Sequence, residues 1–294
     1  MAKRALVLGG GGVVGIAWET GVLKGLADAG LNPADADLII GTSAGSVVGT
    51  QIRLGYPLDA LLQAQHAPTD GSVESSVGEA DVQGLMNVFM KWAAAQEMTP
   101  PLRAEIGKMA LAAKTTSEER FVGAIGSLLA GHDWPEQPLI VTAVQADSGE
   151  FVTWDRSTGV PLHLAIASSC AVPGLFPPVT INGLRYVDGG VRSGTSADLA
   201  RGYDVVLVIA PIGASAEGIG GIARRQLDAE LDALRAAGSV VELILPDAAA
   251  MQAFGPNLMD PARRTPAAQA GLTQGAAAGQ LLASNWSGSA ARPV

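Results

Sequence analysis

The segment 38–54 constrains the fold more than any other part of the sequence. It begins with a short apolar run at residues 38–40, typical of a buried strand, and continues from residue 44 as a helix-like stretch. Between them, residues 41–45 read Gly-Thr-Ser-Ala-Gly, a G-x-S-x-G pattern. This pattern is typical of a nucleophile elbow, in which a serine lies on a sharp turn from a strand into a helix. The segment therefore predicts a Ser43 hydroxyl presented at the end of a buried strand.

The residues around this serine fit the predicted turn. Gly41 and Gly45 lie where the helix and the strand come so close that a Cβ atom would clash. The N-terminus of the following helix carries a partial positive charge, which favours negative charge developing near Ser43. These features predict that Ser43 can act as a nucleophile.

A second glycine-rich turn comes earlier in the chain. Residues 4–8 are predicted to form the first strand, and residues 9–15, Gly-Gly-Gly-Gly-Val-Val-Gly, lead into a helix over about 16–29. Consecutive glycines allow backbone N–H groups to converge on an anion without side chains. Beside an exposed serine, such a turn can serve as an oxyanion hole, and a tight packing turn is the alternative.

The spacing Gly10-x-Gly12-x-x-Gly15 also matches the fingerprint of dinucleotide-binding proteins. That class needs an acidic residue at the end of the second strand to bind the ribose, whereas this strand ends in the serine motif at 41–45. A P-loop is excluded because no Gly-Lys-Ser/Thr follows the glycines. We therefore predict no nucleotide cofactor.

A candidate base follows a predicted hairpin. Residues 179–187 contain Asn-Gly between two strand-like runs, a strong hairpin signal, and the second run leads directly into Asp188, Gly189 and Gly190. A carboxylate at a strand end followed by glycines leaves room for another group to approach, as a general base requires. The alternative is an aspartate that only caps the turn.

Other catalytic groups are not indicated. His66, His132 and His163 all precede Asp188, so the order Ser, Asp, His of α/β-hydrolases is not available. The metal-binding patterns H-E-x-x-H and paired C-x-x-C do not occur in the sequence. We expect neither a metal nor a cofactor.

Composition limits the class of protein. The 294 residues are 48% hydrophobic and 16% charged, which indicates a globular protein with a large buried core. The net charge of −9 argues against binding of nucleic acid or of anionic membranes in bulk. The single cysteine, Cys170, fits a reducing compartment, and no apolar stretch approaches the roughly 20 residues that span a bilayer. We expect a soluble, cytoplasmic protein and leave its oligomeric state open.

The rest of the chain is predicted to complete one α/β domain over residues 1–294. Residues 56–135 form a helical insertion, and residues 261–294 a helical tail. Within the insertion, an apolar stripe around Phe89 is interpreted as ordinary core, with a lid for an acyl chain as the alternative. Further strands are predicted at 139–146, 151–154, 205–209 and 240–245.

Four segments in this order resemble the bacterial type of the patatin-like phospholipase family. They are the glycine run at 9–15, the serine motif at 41–45, the segment 167–178 and Asp-Gly-Gly at 188–190. The resemblance extends over roughly residues 4–210. It implies a three-layer α/β/α fold with a mainly parallel central sheet.

The resemblance also implies an activity, hydrolysis of acyl esters of lipids by a serine-aspartate dyad without a metal. Ser43 would be the nucleophile and Asp188 the base, and the substrate a fatty-acyl ester or phospholipid reached by transient contact with a membrane or micelle. Two sets of glycines correspond to the family's motifs, the oxyanion hole at Gly10, Gly11 and Gly12, and the supporting turns at Gly15, Gly41, Gly45, Gly189 and Gly190.

One position departs from the family's pattern. The chain has Val14 where the family commonly has Arg or Lys, which puts in question a contact with a substrate phosphate from this loop. Two other functions stay open at this point, a non-catalytic protein that binds acyl lipids and a nucleotide-binding oxidoreductase. Labelling of Ser43 by a serine-directed probe and binding of NAD(P) would separate the three.

Overall fold

The computed structural model describes residues 2–67, 87, 90, 91, 97–214 and 218–286. In this part of the chain, one sheet of eight strands forms the centre of the fold. The strands are β1 (Arg4–Leu8), β2 (Leu38–Gly41), β3 (Leu139–Gln145), β4 (Phe151–Trp154), β5 (Val179–Ile181), β6 (Leu184–Asp188), β7 (Val205–Ile209) and β8 (Val240–Ile244).

Helices connect and cover these strands. They are α1 (Gly12–Asp28), α2 (Ala44–Arg53), α3 (Leu58–His66), α4 (Pro100–Ala112), α5 (Glu118–Leu128), α6 (Leu162–Ser169), α7 (Gly218–Ala236), α8 (Ala248–Phe254) and α9 (Arg264–Trp286). Among the helices that the structure describes, none is both long enough and apolar enough to cross a bilayer.

The sheet is mainly parallel, and its hydrogen-bonded neighbours follow the path β5-β6-β3-β2-β1-β7-β8, with β4 also paired with β3. β2 and β6 pair with different parts of β3, residues 139–141 and 143–145. β1 lies in the interior of the sheet and pairs in parallel with both β2 and β7. The pairs β2–β3 and β7–β8 are also parallel, whereas β4 and β6 run antiparallel to β3. Since the carboxyl ends of β1, β2 and β7 lie at one edge, the turns that follow them meet there.

Both faces of the sheet are buried, which gives the three layers expected from the resemblance. Leu6 and Leu8 of β1 join a core with α1, α2, α5, α6 and α9. The alternate residues Ala5 and Val7 face a second core, to which α7 contributes three leucines. A strand covered on both faces is continuously apolar, as β1 is over residues 5–8. The α/β fold class predicted from the sequence is confirmed.

The register of β3 places the ends of β2 and β6 side by side. Val141 pairs with Gly41 of β2, and Ala143, two residues on, pairs with Asp188 of β6. β4 pairs with residues 141–144 and occupies the other side of β3 throughout. β2 and β6 therefore share one side of β3, so Ser43 and Asp188 come next to each other.

Glycines allow α9 to pack directly on α1. A Cβ atom on Gly21 or Gly25 of α1 would lie 2.1 or 2.3 Å from a carbonyl oxygen of α9. Gly271 and Gly275 of α9 approach α1 as closely, with 2.2 Å to the carbonyl oxygens of Trp18 and Val22. The absence of side chains lets the two helix backbones meet, which anchors the C-terminal helix against the first one.

Most predicted elements are present, with shifted ends. α1 begins at Gly12 rather than at residue 16, because a run of glycines carries no side chain that marks a helix start. The hairpin at Asn182 and Gly183 is confirmed, with positive φ at both residues, as a type I′ turn requires.

The described residues of the insertion 56–135 include the helices α3, α4 and α5. The apolar stripe around Phe89 and the predicted end of the tail at 287–294 lie outside the described residues.

The packing of α9 on α1 can be measured with two glycine-to-alanine substitutions. Gly275→Ala should lower the free energy of unfolding by about 2 kcal/mol, because the new methyl group meets backbone atoms of α1. Gly123→Ala in α5 is the matched control, since nothing lies within 4 Å of its Cβ position. It should stabilise the protein by up to about 1 kcal/mol through helix propensity. Equal effects of both variants in urea denaturation would contradict this account.

Candidate active site

Ser43 lies on a strained turn between β2 and α2. Its backbone angles are φ 53° and ψ −119°, a region that non-glycine residues rarely adopt. A Cβ atom on Gly45 would lie 2.1 Å from the Leu8 carbonyl oxygen, and one on Gly41 would lie 2.5 Å from the Ser46 Cα. Both predicted glycines are therefore required by close contacts, and the turn resembles a nucleophile elbow.

Hydrogen bonds hold this turn in place. The Ser43 N–H donates to Ser169 Oγ at 2.9 Å, and the Ser46 hydroxyl donates to the Ser43 carbonyl oxygen at 2.6 Å. The Cys170 thiol also donates to this carbonyl oxygen at 3.5 Å. Strain of this kind persists only when the surroundings impose it, and it is typical of functional sites.

Asp188 lies at the end of β6 and is almost fully buried, with 5% of its surface exposed. Its Oδ1 accepts a hydrogen bond from the Gly190 N–H at 2.7 Å. Burial raises the pKa of Asp188 to about 7, and the Ser43 hydroxyl and the Gly190 N–H counter part of the rise. This carboxyl group therefore changes protonation state near neutral pH.

The second carboxylate oxygen of Asp188 faces no donor in bonding geometry. Within the described part of the chain, Oδ2 is buried and has no hydrogen-bond partner. The Ser43 hydroxyl is near enough to affect the pKa of Asp188, but the two side chains do not form a hydrogen bond of good geometry. In unliganded enzymes, catalytic hydrogen bonds are often long or poorly aligned.

Gly189 brings β6 close to the base of the elbow. A Cβ atom there would lie 2.2 Å from Thr142 Oγ1, so only glycine fits. Thr142 Oγ1 in turn lies 2.8 Å from Oγ1 of Thr42, the residue before Ser43. The two threonines therefore link the turn at Ser43 to the turn at Asp188.

The glycine loop lies against Ser43. A methyl group on Gly10 would come within 3.4 Å of Ser43 Cβ. On Gly11 it would lie 2.6 Å from Pro211 Cβ, and on Gly12, at φ +62°, it would lie 2.6 Å from the Leu258 carbonyl oxygen. A Cβ on Gly15 would meet its neighbours only at 3.4 Å or more, which is ordinary contact.

The amides of this loop are used differently from one another. Gly10 donates its N–H to the Gly194 carbonyl oxygen at 2.8 Å, so this amide is engaged, which differs from the expectation for Gly10. Val14 donates to the Leu258 carbonyl oxygen at 3.1 Å. Within the described residues, the N–H groups of Gly11, Gly12 and Val13 have no hydrogen-bond partner. Gly12 and Val13 belong to the first turn of α1, where no intrahelical acceptor exists.

An apolar cavity of about 410 Å³ opens beside Ser43. α5 supplies one wall with side chains at helical spacing, Phe121, Ile125 and Leu128. The ring of Phe121 stacks on Phe176 with centroids 4.6 Å apart. The sequence analysis did not single out these residues, although the i, i+4, i+7 spacing of the α5 set was a readable signal. A cavity of this kind accommodates a flexible hydrocarbon chain.

Other titratable groups near the site are unsuited to nucleophilic or base catalysis. Cys170 lines the cavity, but burial raises the pKa of its thiol, so the thiolate is not available at neutral pH. All three histidines lie among the described residues and are exposed, and none of them lines the cavity. Among the described residues, no three His, Cys, Asp or Glu side chains lie together as metal ligands would.

Glu19 of α1 is a buried acid that the sequence analysis missed. Burial raises the pKa of Glu19 well above its usual value, and the nearby Gly9 N–H counters this only in part. The Gly9 N–H donates its hydrogen bond to the Ile209 carbonyl oxygen at 3.0 Å. In the described part of the chain, both Glu19 carboxyl oxygens are buried and lack a hydrogen-bond partner.

A family model described as Patatin-like phospholipase matches residues 6–201, two thirds of the chain. The chain belongs to the patatin-like phospholipase family. The matched range includes the glycine loop, the elbow at Ser43 and the strand end at Asp188.

Curated relatives of this patatin-like chain come from mycobacteria. An uncharacterized NTE family protein of Mycobacterium tuberculosis is 28% identical over 207 residues, which cover 67% of this chain and 47% of that protein. An uncharacterized NTE family protein of Mycobacterium bovis gives the same values. The chain thus spans about half the length of the curated relatives it matches.

Solved structures also resemble this patatin-like chain. The crystal structure of VipD from Legionella pneumophila is 14% identical and aligns with a TM-score of 0.50. The alignment covers 93% of this chain and 66% of VipD. At this low identity the likeness shows the shared fold.

Val14, which stands in this patatin-like chain where the family commonly has Arg or Lys, is buried. The Val14 side chain is fully buried in the hydrophobic core against which α1 packs, so a cation there would be placed in an apolar environment. Arg264, at the start of α9, is the charged side chain among the described residues lining the cavity. It donates to the carbonyl oxygen of Ala64 at 2.8 Å and to Gln65 Oε1 at 3.2 Å, both at the end of α3.

Burial of Asp188 predicts a stability difference that depends on pH. The pKa of Asp188 is about 7 in the folded protein and about 4 in the unfolded chain. As pH rises from about 4 to 7, the unfolded chain releases this proton while the folded protein keeps it, so the free energy of unfolding falls. Asp188→Asn removes the charge and keeps the shape, so it should raise the free energy of unfolding at pH 8 by on the order of 2 kcal/mol. At pH 4 the difference should nearly vanish. Urea denaturation at both pH values measures this, and a variant less stable than wild type at pH 8 would contradict the assignment.

Proposed function

We propose that the protein is a lipid acyl hydrolase that cleaves carboxylic esters of fatty-acyl lipids through Ser43 and Asp188. One observation carries the proposal, a strained serine adjoining a buried carboxyl group with a pKa of about 7, beside an apolar cavity. A base whose pKa lies near the working pH is the most effective in proton transfer. Membership of the patatin-like phospholipase family supports the same activity.

In the first step, ionised Asp188 accepts the proton of the Ser43 hydroxyl while Oγ attacks the ester carbonyl carbon. The carbonyl oxygen becomes an oxyanion in a tetrahedral intermediate. We assign its stabilisation to the amides of Gly11 and Gly12, since the Gly10 amide is engaged with Gly194. The partial positive charge at the N-termini of α1 and α2 adds to this stabilisation.

In the second step, the intermediate expels the alcohol, which takes the proton from Asp188, and the acyl group stays on Ser43. Asp188, ionised again, then accepts a proton from water as the hydroxyl attacks the acyl-enzyme. Collapse of the second intermediate releases the fatty acid and returns the proton to Ser43. The reaction needs one base that acts twice, and we assign both roles to Asp188.

The shape of the cavity supports a long acyl chain as the group bound during this reaction. Its walls come from α1, α2, α3 and α5, and most of the lining side chains are apolar. Burial of each methylene contributes about 0.8 kcal/mol. The substrate class we propose is therefore a fatty-acyl ester, with a phospholipid included, reached by transient contact with a membrane or micelle.

The dyad predicts both chemical labelling and a pH profile. A fluorophosphonate should label the wild type, and Ser43→Ala should lose labelling and hydrolysis of p-nitrophenyl esters together. Because the pKa of Asp188 is about 7, kcat should rise with pH and level off above pH 7 to 8. At pH 5 it should be about a hundredfold lower than the plateau.

Asp188→Asn is the companion variant in this experiment. It should fold and lose most turnover, because the shape is kept while the base is removed. Full activity of this variant would rule out the dyad. Absence of labelling in folded wild type, also with detergent or lipid added, would favour a non-catalytic lipid-binding protein.

Because α5 forms one wall of the cavity, its side chains should limit the length of the acyl chain that can bind. Leu128→Trp should fill part of the cavity and lower kcat/KM for esters of long acyl chains by about tenfold, with short esters little affected. Leu281→Trp on α9 is the control, because this leucine is highly exposed and does not line the cavity. An equal loss for short and long esters in Leu128→Trp would contradict the proposed acyl site.

A further inference from the structure

The glycine loop is anchored to the segment between β6 and β7. The Gly10 N–H donates to the Gly194 carbonyl oxygen at 2.8 Å, and a methyl group on Gly9 would lie 3.2 Å from the same oxygen. Gly10 directly precedes Gly11, the first of the proposed oxyanion donors. The position of Gly194 therefore sets the position of these donors.

Gly194 lies in a turn that its neighbours hold rigid. Ser193 Oγ accepts the N–H groups of Thr195 at 3.2 Å and of Ser196 at 2.8 Å. Ser196 is left-handed, with φ 52° and ψ 39°, which is unusual for a residue other than glycine. Such a conformation persists only when surrounding contacts impose it.

Glu230 supplies those contacts from α7. Its Oε2 accepts the Thr195 hydroxyl at 2.8 Å and the Ala197 N–H at 2.8 Å. Glu230, Thr195 and Ala197 are all buried, so water does not compete for these bonds. Burial raises the pKa of Glu230, and the hydrogen bonds from Ser193, Thr195 and Ala197 counter part of this rise.

Glu230 is remote from the cavity. α7 packs on the face of the sheet opposite α1, α2 and α5, and Glu230 is not among the described residues that line the cavity. Among the described contacts, the turn at Gly194 and its hydrogen bond to Gly10 connect Glu230 to the glycine loop beside Ser43.

We propose that Glu230 is a positioning residue for the reaction at Ser43, which rests on the proposed function. Through Thr195 and Ala197 it holds the Gly194 carbonyl oxygen, and through Gly10 it aligns the amides of Gly11 and Gly12 with the developing oxyanion. Small misplacement of such donors lowers the rate of the chemical step. Because the acyl cavity is untouched, kcat falls while KM stays nearly constant.

The experiment uses the full-length protein with two pairs of variants. Thr195→Val removes the hydroxyl group, and with it the hydrogen bond to Glu230, with little change in the shape of the side chain. Thr195→Ser keeps the hydroxyl group and therefore this hydrogen bond. Glu230→Ala removes both bonds, and Glu230→Gln keeps an acceptor oxygen. Ser239→Ala is the matched control, because Ser239 Oγ donates to the Tyr203 carbonyl oxygen at 2.7 Å, at the opposite edge of the sheet.

Two quantities are measured, ester hydrolysis and hydrogen exchange of the peptide that contains Gly9 to Gly12. In Thr195→Val, kcat should fall about tenfold with KM changed by less than about twofold, and exchange at Gly10 should become faster. Glu230→Ala should show a larger loss, and Glu230→Gln an intermediate one. Thr195→Ser and Ser239→Ala should match the wild type in both quantities.

The outcomes separate this inference from the proposed function. Unchanged exchange at Gly10 in folded Thr195→Val and Glu230→Ala overturns the linkage, whether or not the wild type hydrolyses esters. Faster exchange with unchanged kcat overturns the positioning role. Faster exchange in a protein whose wild type does not react with a fluorophosphonate contradicts the proposed function and the catalytic role of Glu230, while the linkage to Gly10 stands.

Discussion

The close approach of α2 to β1 at Gly45 is the contact on which the site depends. The Gly45 N–H donates to the Gly9 carbonyl oxygen at 2.9 Å, and there is no room for a Cβ atom against Leu8. This contact joins the turn that carries Ser43 to the loop that carries the proposed oxyanion donors. A side chain at position 45 would push Ser43 away from these proposed donors, so backbone contact sets the distance between the two turns.

The site contains groups that are costly for folding. Ser43 has a strained backbone, Asp188 and Glu19 are buried acids, and Ser196 is left-handed. Such features persist because the surrounding structure is stable enough to impose them. The sheet buried on both faces and the glycine contacts between α1 and α9 provide that stability. The expected gain in stability of Asp188→Asn, with loss of turnover, follows from the same balance.

The segment after Asp188 connects the two halves of the site. Asp188 itself lies beside Ser43, and a few residues later Gly194 holds the glycine loop through Gly10. One continuous piece of chain therefore positions both the proposed base and the proposed oxyanion donors. Glu230 supports this segment from the far face of the sheet, so residues outside the cavity take part in its alignment.

The sequence by itself determined the local parts of the site. The elbow at Ser43, the hairpin that ends at Asp188 and the glycine turn are short motifs whose backbone geometry is dictated by neighbouring residues, which is why they could be predicted. Only the tertiary structure decided that β2 and β6 share one side of β3, which places Asp188 next to Ser43. It also decided that the Gly10 amide is engaged by Gly194 and that α5 lines the cavity. These facts depend on pairings between distant segments, and the periodicity of a sequence indicates which face of an element is buried but not what covers it.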